Sequence, residues 1–206
     1  MKTGRWGGNG VWLLLGISLL VAACGDDRSV GAVAREKGLL FAPDSGIAAN
    51  VPESAVLAAG WSLCYQDTYA TSGIPLSTIL SLCDAPYLML ACLPGGTATL
   101  VVAAAGARAD VTFDTGAGNA TSAHTANGVS WYYNDNWSWG FFVPGDGVNK
   151  SSCDVELGAF DAYRLCWHAG TGAGAPSATL AYGYRCGSNQ SLNSDPTWLR
   201  RIYHHL

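Results

Sequence analysis

The sequence predicts an all-β fold, a mainly antiparallel sandwich or barrel with one short helix near residues 75–83, stabilised by disulfides. Short apolar runs are separated by turns rich in glycine, of which the 206-residue chain has 26. Such runs are typical of antiparallel β folds. The predicted strands cover residues 61–65, 87–92, 98–104, 111–113, 129–133, 137–143, 163–168, 179–185 and 198–203.

Two hairpins and one helix have clear local signals. Pro94-Gly95-Gly96 separates two apolar runs and predicts a turn between them. The stretch Ser130–Phe142 has aromatic residues on both sides of Asn134–Asn136 and predicts strands at 129–133 and 137–143 joined by a turn. In residues 75–83, apolar side chains recur at helical spacing after Pro75, which predicts the helix.

Residues 1–23 have the pattern of an export signal. Lys2 and Arg5 precede the uncharged run 11–23, which is too short for a membrane span of about 20 residues. The run ends in Val21-Ala22-Ala23-Cys24-Gly25, which resembles the lipobox of bacterial lipoproteins. This resemblance implies that Cys24 is lipidated and that the exported chain is anchored through it to the membrane of the bacterial cell envelope.

The cysteine count agrees with that prediction. Seven cysteines are present, and setting Cys24 aside leaves an even number, as a disulfide framework in an exported chain requires. Three of the six precede the aromatic hairpin and three follow it, so complete pairing requires at least one bridge between the two halves. No Cys-x-x-Cys motif supports a zinc or thioredoxin-type site. The six are Cys64, Cys83, Cys92, Cys153, Cys166 and Cys186.

The mature chain divides into a tether and one domain. Residues 24–58 are predicted to be a flexible lipid-anchored tether, with a turn at 42–46 and a weak helical turn at 54–59, and residues 59–206 a single domain. Without Lys2 and Arg5, the chain has nine basic and fifteen acidic residues, a net charge of −6. This balance argues against nucleic-acid binding. No nucleotide or dinucleotide fingerprint is present, and no cofactor is expected.

The aromatic hairpin has two interpretations. Its rings fill the core, or some of them form a binding platform on which a sugar ring stacks while neighbouring polar side chains bond its hydroxyls. The second interpretation predicts a binding module for a ligand such as a carbohydrate. The residues predicted to contact that ligand are Tyr132, Asn134, Asp135, Asn136 and Trp137.

Two alternatives to a binding module remain open, an enzyme and a purely structural envelope lipoprotein. Val111–Gly116, hydrophobic-x-hydrophobic-Asp-Thr-Gly, resembles the active-site motif of pepsin-like and retroviral aspartic proteases. That resemblance implies a hydrolase in which Asp114 shares a proton with a second aspartate. A two-lobed protease needs a second such motif in the chain, and a retroviral one obtains it by dimerising. A strand-ending turn is the simpler interpretation.

The histidines do not form a metal-binding motif. His124 and His168 stand alone, without the spacing of known metal-ligating pairs, and no EF-hand pattern links the aspartates. No metal site is therefore predicted.

Overall fold

A computed structural model describes residues 46–134, 137–150, 153–154, 158, 160–170 and 178–206. The predicted signal peptide (1–23), the predicted lipidation site Cys24 and the tether up to residue 45 lie outside the described residues. So do Asp135 and Asn136 of the predicted ligand site.

Eleven strands in the described ranges form two sheets, and neighbouring strands within each sheet are antiparallel. They are β1 (Gly46–Pro52), β2 (Ser62–Thr68), β3 (Ile74–Pro75), β4 (Tyr87–Pro94), β5 (Thr99–Ala107), β6 (His124–Ala126), β7 (Val129–Tyr133), β8 (Ser138–Phe142), β9 (Leu165–Gly170), β10 (Thr179–Cys186) and β11 (Trp198–His205). The first sheet has the order β1-β5-β4-β11-β2 and the second β3-β10-β9-β8-β7-β6. The predicted mainly antiparallel β fold is confirmed.

Three short α-helices lie between the strands: α1 (Glu53–Ala58), α2 (Leu76–Leu82) and α3 (Arg108–Val111), with a 3-10 helix at Asp161–Tyr163. The predicted helix at 75–83 corresponds to α2, which begins after Pro75 and buries Leu76 and Ile79. Both predicted hairpins are present, as β4–β5 and β7–β8. Within the described part of the chain, no helix is long and apolar enough to cross a membrane.

The folded part of the chain begins before residue 59, contrary to the predicted boundary of the tether. β1 pairs with β5 along its whole length, from Gly46 opposite Ala105 to Pro52 opposite Thr99. α1 follows directly and buries Val56 completely. Residues 46–58 therefore belong to the domain. Ala and Gly give β1 little hydrophobic alternation, and the strand depends on its backbone pairing with β5.

The predicted strand at 111–113 is wrong. Val111 ends α3, and the N–H groups of Thr112 and Phe113 donate to the carbonyls of Arg108 and Asp110 at 3.0 and 3.3 Å. The Arg108 guanidinium donates to the Leu80 carbonyl at 2.7 Å and to the Cys83 carbonyl. These bonds hold the segment in a helical turn against α2, and they override the β propensity of Val and Phe.

The core between the two sheets combines large rings from the second sheet with aliphatic and small residues from the first. Trp131, Trp139 and Trp167 of the second sheet are fully buried. Facing them, β5 contributes small residues, including Ala104 and Gly106. A Cβ on Gly106 would lie 3.1 Å from Cζ2 of Trp131, so a larger residue there would require that ring to shift by a few tenths of an ångström. Large and small side chains thus interlock across the sandwich.

Tyr69 connects the strands of the second sheet through its hydroxyl. It donates to the Arg185 carbonyl at 3.0 Å and accepts from Nε1 of Trp167 at 3.2 Å. Its ring lies over Gly183, where a Cβ would approach Cδ1 of the ring to 1.9 Å. The absence of a side chain at Gly183 is therefore a requirement of this packing.

A buried arginine bridges the two sheets. Arg200 of β11 pairs with Asp67 of β2, with Nη2 2.8 Å from Oδ2, and it donates to the carbonyls of Thr71 at 2.6 Å and of Ala181 in β10. Because a buried ion is stabilised only while its partners remain, loss of Asp67 would leave the guanidinium without its counter-ion.

Three disulfides close the framework: Cys64–Cys83, Cys92–Cys186 and Cys153–Cys166. Cys92–Cys186 joins β4 of the first sheet to β10 of the second across 94 residues of sequence. This is the bridge between the halves that the cysteine distribution requires, and it makes the predicted pairing of all six cysteines complete. Three disulfides indicate an oxidising, extracytoplasmic environment.

We expect the Cys92–Cys186 bridge to stabilise the domain more than Cys153–Cys166 does. In the chain-entropy model, closing loops of about 95 and 14 residues contributes about 4.7 and 3 kcal/mol, respectively. Paired Cys-to-Ala substitutions at each bridge, compared by urea unfolding without reductant, measure this difference. Equal losses would show that local packing rather than loop length determines the contribution.

Candidate functional site

The aromatic hairpin contributes most of its rings to the core. Trp131 and Trp139 are fully buried and pack edge-to-face on Phe141 and Trp167, with ring centroids 5.6 and 5.8 Å apart. Nε1 of Trp139 donates to the Val111 carbonyl at 3.0 Å, so the indole has no free polar group. For these residues the core interpretation is correct.

Tyr132 is also buried, which removes it from the predicted ligand site. Its ring lies on the opposite side of the second sheet among Phe142, Val148 and Cys166, and its hydroxyl donates to the Leu165 carbonyl at 2.8 Å. Because the segment that carries Val148 packs over this side of the sheet, a ligand has no access to the Tyr132 ring.

Asn134 is almost fully buried and shapes the turn rather than presenting its side chain to solvent. Its N–H donates to the Ser138 carbonyl at 3.0 Å, and its own carbonyl accepts from the Trp137 N–H at 3.2 Å. Its side-chain Nδ2 donates to Oδ1 of Asp114 at 2.7 Å. Asn134, predicted as a ligand contact, is therefore hydrogen-bonded to Asp114, the predicted catalytic residue of the hydrolase alternative.

Asp114 lies at the surface and is held in one orientation. Its Oδ1 accepts from Nδ2 of Asn134 and from the Gly116 N–H at 2.8 Å, and its backbone forms a bridge with Tyr133 at the end of β7. The Asn134 hydrogen bond, followed by that of Gly116 and the nearby Lys150 charge, lowers the pKa of the Asp114 carboxyl. The carboxylate is therefore ionised at neutral pH.

This environment differs from that of an aspartic-protease dyad, in which a second carboxyl keeps one proton. A second triplet of the Asp-Ser/Thr-Gly type, Asp44-Ser45-Gly46, lies in the stretch predicted to be a tether. Of it, the structure describes Gly46, where a Cβ would lie 3.5 Å from the Asn127 carbonyl before β7 begins. Asp114 lies at the other end of β7, about 20 Å away along an extended strand. Gly46 therefore lies far from Asp114.

Lys150 lies beneath the surface that carries Asp114, and no pattern in the sequence indicates a role for it. Its ammonium is fully buried within hydrogen-bonding distance of four oxygens. These are the carbonyls of Thr115 and Gly116 at 2.9 and 2.7 Å, and the hydroxyls of Thr115 and Ser122 at 2.9 and 2.6 Å. Burial lowers the pKa of Lys150, and the Asp114 charge opposes that shift.

The contact between Lys150 and Ser122 raises the question of a nucleophilic serine. A serine–lysine pair requires a neutral amine that accepts the hydroxyl proton. Here Ser122 donates to the Thr115 carbonyl at 2.7 Å, and four oxygens surround Nζ as acceptors. An ammonium satisfies this arrangement better than a neutral amine. Lys150 therefore holds together the loop that carries Asp114 and Ser122.

Three aromatic rings lie near the loop that carries Asp114 and the Lys150 ammonium beneath it. Phe113 is 49% exposed and stacks on His124 with ring centroids 4.3 Å apart and an interplanar angle of 17°. Nε2 of His124 lies 2.7 Å from Oδ1 of Asp110. Half-buried Trp137 lies with its ring centroid 6.0 Å from Nζ of Lys150. We refer to Phe113, Asp114, His124 and Trp137 as the Asp114 face.

Sequence reasoning found part of this surface. It singled out Asp114 and Trp137, but it placed Phe113 in a strand and gave Lys150 no role. The one local signal that could have identified Phe113 is its position directly before the Asp-Thr-Gly turn.

The second isolated histidine lies away from this surface. His168 of β9 packs edge-to-face on Tyr184 with ring centroids 5.9 Å apart. Burial lowers the pKa of His168, and a hydrogen bond with Asn193 opposes that shift. Among the described residues, no group of three or more His, Cys, Asp and Glu side chains is arranged to hold a metal ion.

We expect Lys150→Met to destabilise the domain by about 2 kcal/mol or more, because each buried acceptor left unpaired costs about 1–3 kcal/mol. Urea unfolding at neutral pH measures this loss. Tyr182→Phe is the control, since Tyr182 is exposed and a surface substitution of this kind changes stability by no more than about 0.5 kcal/mol. Equal stability of the two variants would mean that the four oxygens do not depend on the ammonium.

We also expect stability to fall as the pH drops below about 6.5, the ordinary pKa of histidine in an unfolded chain. In that range the unfolded chain binds a proton on His168 that the folded protein does not, because the pKa of His168 is lower in the folded state. The free energy of unfolding therefore keeps falling until the pH reaches the folded pKa of His168. Urea unfolding across this pH range should give a flatter profile for His168→Gln than for the unsubstituted protein. An unchanged slope would contradict the assignment to His168.

None of the protein-family models, curated proteins or solved structures with which the chain was compared matches it.

Proposed function

We propose that this protein is an extracytoplasmic binding module, anchored to the bacterial cell envelope through a lipid on Cys24, and that it binds carbohydrate. The observation that carries the binding proposal is the Asp114 face, where an exposed ring, a half-buried ring and a fixed carboxylate lie together. Sugar-binding surfaces need these groups, since aromatic rings pack on the CH face of a pyranose while a carboxylate accepts hydrogen bonds from its hydroxyls.

The face is suited to binding because it is rigid before a ligand arrives. Asn134 and Gly116 orient the carboxylate, His124 supports the Phe113 ring, and Lys150 fixes the loop beneath them. A surface that is already ordered loses little conformational entropy on association. The proposed site keeps Asn134 as a supporting residue and Trp137 as a contact, omits Tyr132, and adds Phe113.

Lipid anchoring is supported by the sequence around Cys24 and by the disulfides. All six other cysteines are paired, so Cys24 is the one cysteine outside the disulfide framework. A diacylated cysteine anchors a chain firmly, whereas a net negative charge gives no attraction to anionic lipid.

The hydrolase alternative has less support. The groups around Asp114 in the described residues are an amide, a backbone N–H and an ammonium, all of which favour its ionised form. The proton shared between two carboxyls, on which the aspartic-protease mechanism depends, has no second carboxyl here among the described residues.

The binding proposal is tested on a glycan array with the mature chain carrying Cys24→Ser. We expect Phe113→Ala and Trp137→Ala to abolish glycan binding, with little change in melting temperature for Phe113→Ala because half of its ring is already exposed. Trp139→Ala is the contrasting core variant and should lose about 3–5 kcal/mol of stability. Full binding by Phe113→Ala would refute the proposed site.

Lipidation is tested separately by metabolic labelling with a fatty-acid analogue. We expect label in the full-length chain and none in Cys24→Ser. Cys153→Ser is a useful comparison, because it removes a cysteine of the less stabilising bridge and leaves the lipobox unchanged. Label retained in Cys24→Ser would exclude that residue as the anchor.

A further inference from the structure

We infer that the ligand of the Asp114 face is a saccharide without anionic groups, and that a free amine on the saccharide strengthens its binding. This inference rests on the proposed carbohydrate-binding function and specifies the chemical class of the ligand. It follows from where the domain places its positive charges, which the composition alone does not reveal.

All six lysine and arginine side chains in residues 46–206 are used inside the fold. Four are completely buried, and the other two are partly buried and paired. Arg108 donates to two carbonyls beside α2, and Arg201 pairs with Glu53 and donates to Gln66. The four buried ones are Lys150, Arg164, Arg185 and Arg200.

Each of the four buried cations is paired with oxygen atoms of the fold. Arg164 binds Asp154 at 2.8 Å and Asp146 at 2.7 Å, and Arg185 binds Asp161 at 2.6 Å. A guanidinium already paired in this way cannot turn outward to a ligand without leaving a buried carboxylate unpaired, which costs several kcal/mol. The arginines are therefore not available to bind sulfate, phosphate or uronate groups.

The Asp114 face likewise has no cation available to a ligand among the described residues. Its nearest ammonium, Lys150, is buried and holds the Thr115 and Gly116 carbonyls, and the His124 ring is paired with Asp110. The most exposed charge at the face is the Asp114 carboxylate, and the Asp110 carboxylate beside His124 is partly exposed. The Asp114 Oδ1 is held by two donors, and no described residue donates to its Oδ2. An anionic saccharide would be repelled here, while a hydroxyl or an ammonium can donate to Oδ2.

The test compares three oligosaccharides of equal length against the mature chain carrying Cys24→Ser, near neutral pH and in low salt. The probes are a glucosamine oligomer, its fully N-acetylated form and an oligogalacturonate. We expect the glucosamine oligomer to bind about two- to fivefold more tightly than the N-acetylated form, the factor that one exposed ion pair provides. We expect no binding of the oligogalacturonate.

Asp114→Asn removes the negative charge at the site and keeps the shape of the side chain. It should remove the preference for the amine while the N-acetylated form still binds. Asp195→Asn is the matched control, because the Asp195 carboxylate is likewise exposed and held by the N–H and hydroxyl of Thr197 at 2.8 and 2.6 Å, away from the Asp114 face. This control should leave all three affinities unchanged.

The outcomes distinguish this inference from the proposed function. Tight binding of the oligogalacturonate would overturn the inference and leave carbohydrate binding standing. An amine preference that survives in Asp114→Asn would overturn the role of the Asp114 charge. Failure of all three oligosaccharides to bind, together with a negative glycan array, would refute both.

Discussion

The packing of Trp131, Trp139 and Trp167 in the core between the two sheets is the constraint on which the rest of this structure depends. All three rings are fully buried, and Gly106 of β5 leaves space for Trp131. Interiors are close-packed, so the distance between the sheets is set by these side chains and not by the loops. The Cys92–Cys186 bridge then joins the two sheets covalently at positions that the packing has already brought together.

The candidate site follows from that core. Because Trp131 and Trp139 are fixed inside, Asn134 at the end of β7 is held beside the start of β8, where it is buried and its N–H donates to the Ser138 carbonyl. Asn134 holds Asp114, and Lys150 holds the loop that follows Asp114. Asn134, one of the polar residues predicted as ligand contacts, thus supports a neighbouring loop, and that loop carries the exposed carboxylate and the exposed ring.

The positively charged side chains are likewise used inside the fold. A domain with few lysines and arginines has placed most of them in its interior, where each is matched by carboxylates or carbonyls. Buried ion pairs add little net stability over apolar packing, but they are costly to break and they specify one arrangement of the groups around them. The result is an ordered domain whose exposed charge is mainly negative, which narrows the chemistry that its surface can recognise.

The sequence by itself determined the features that depend on neighbouring residues and on counting. These are the two hairpins, α2 and the bridge between the halves, because turn residues, helical spacing and cysteine parity are local or arithmetical signals. Only the tertiary structure decided that β1 and α1 belong to the domain, that Tyr132 is inaccessible, and that Lys150 lies under Asp114. Lys150 and Thr115 are 35 residues apart and touch only after the sheets have packed. Burial and ion pairing arise from contacts between distant segments, and no short stretch of sequence contains them.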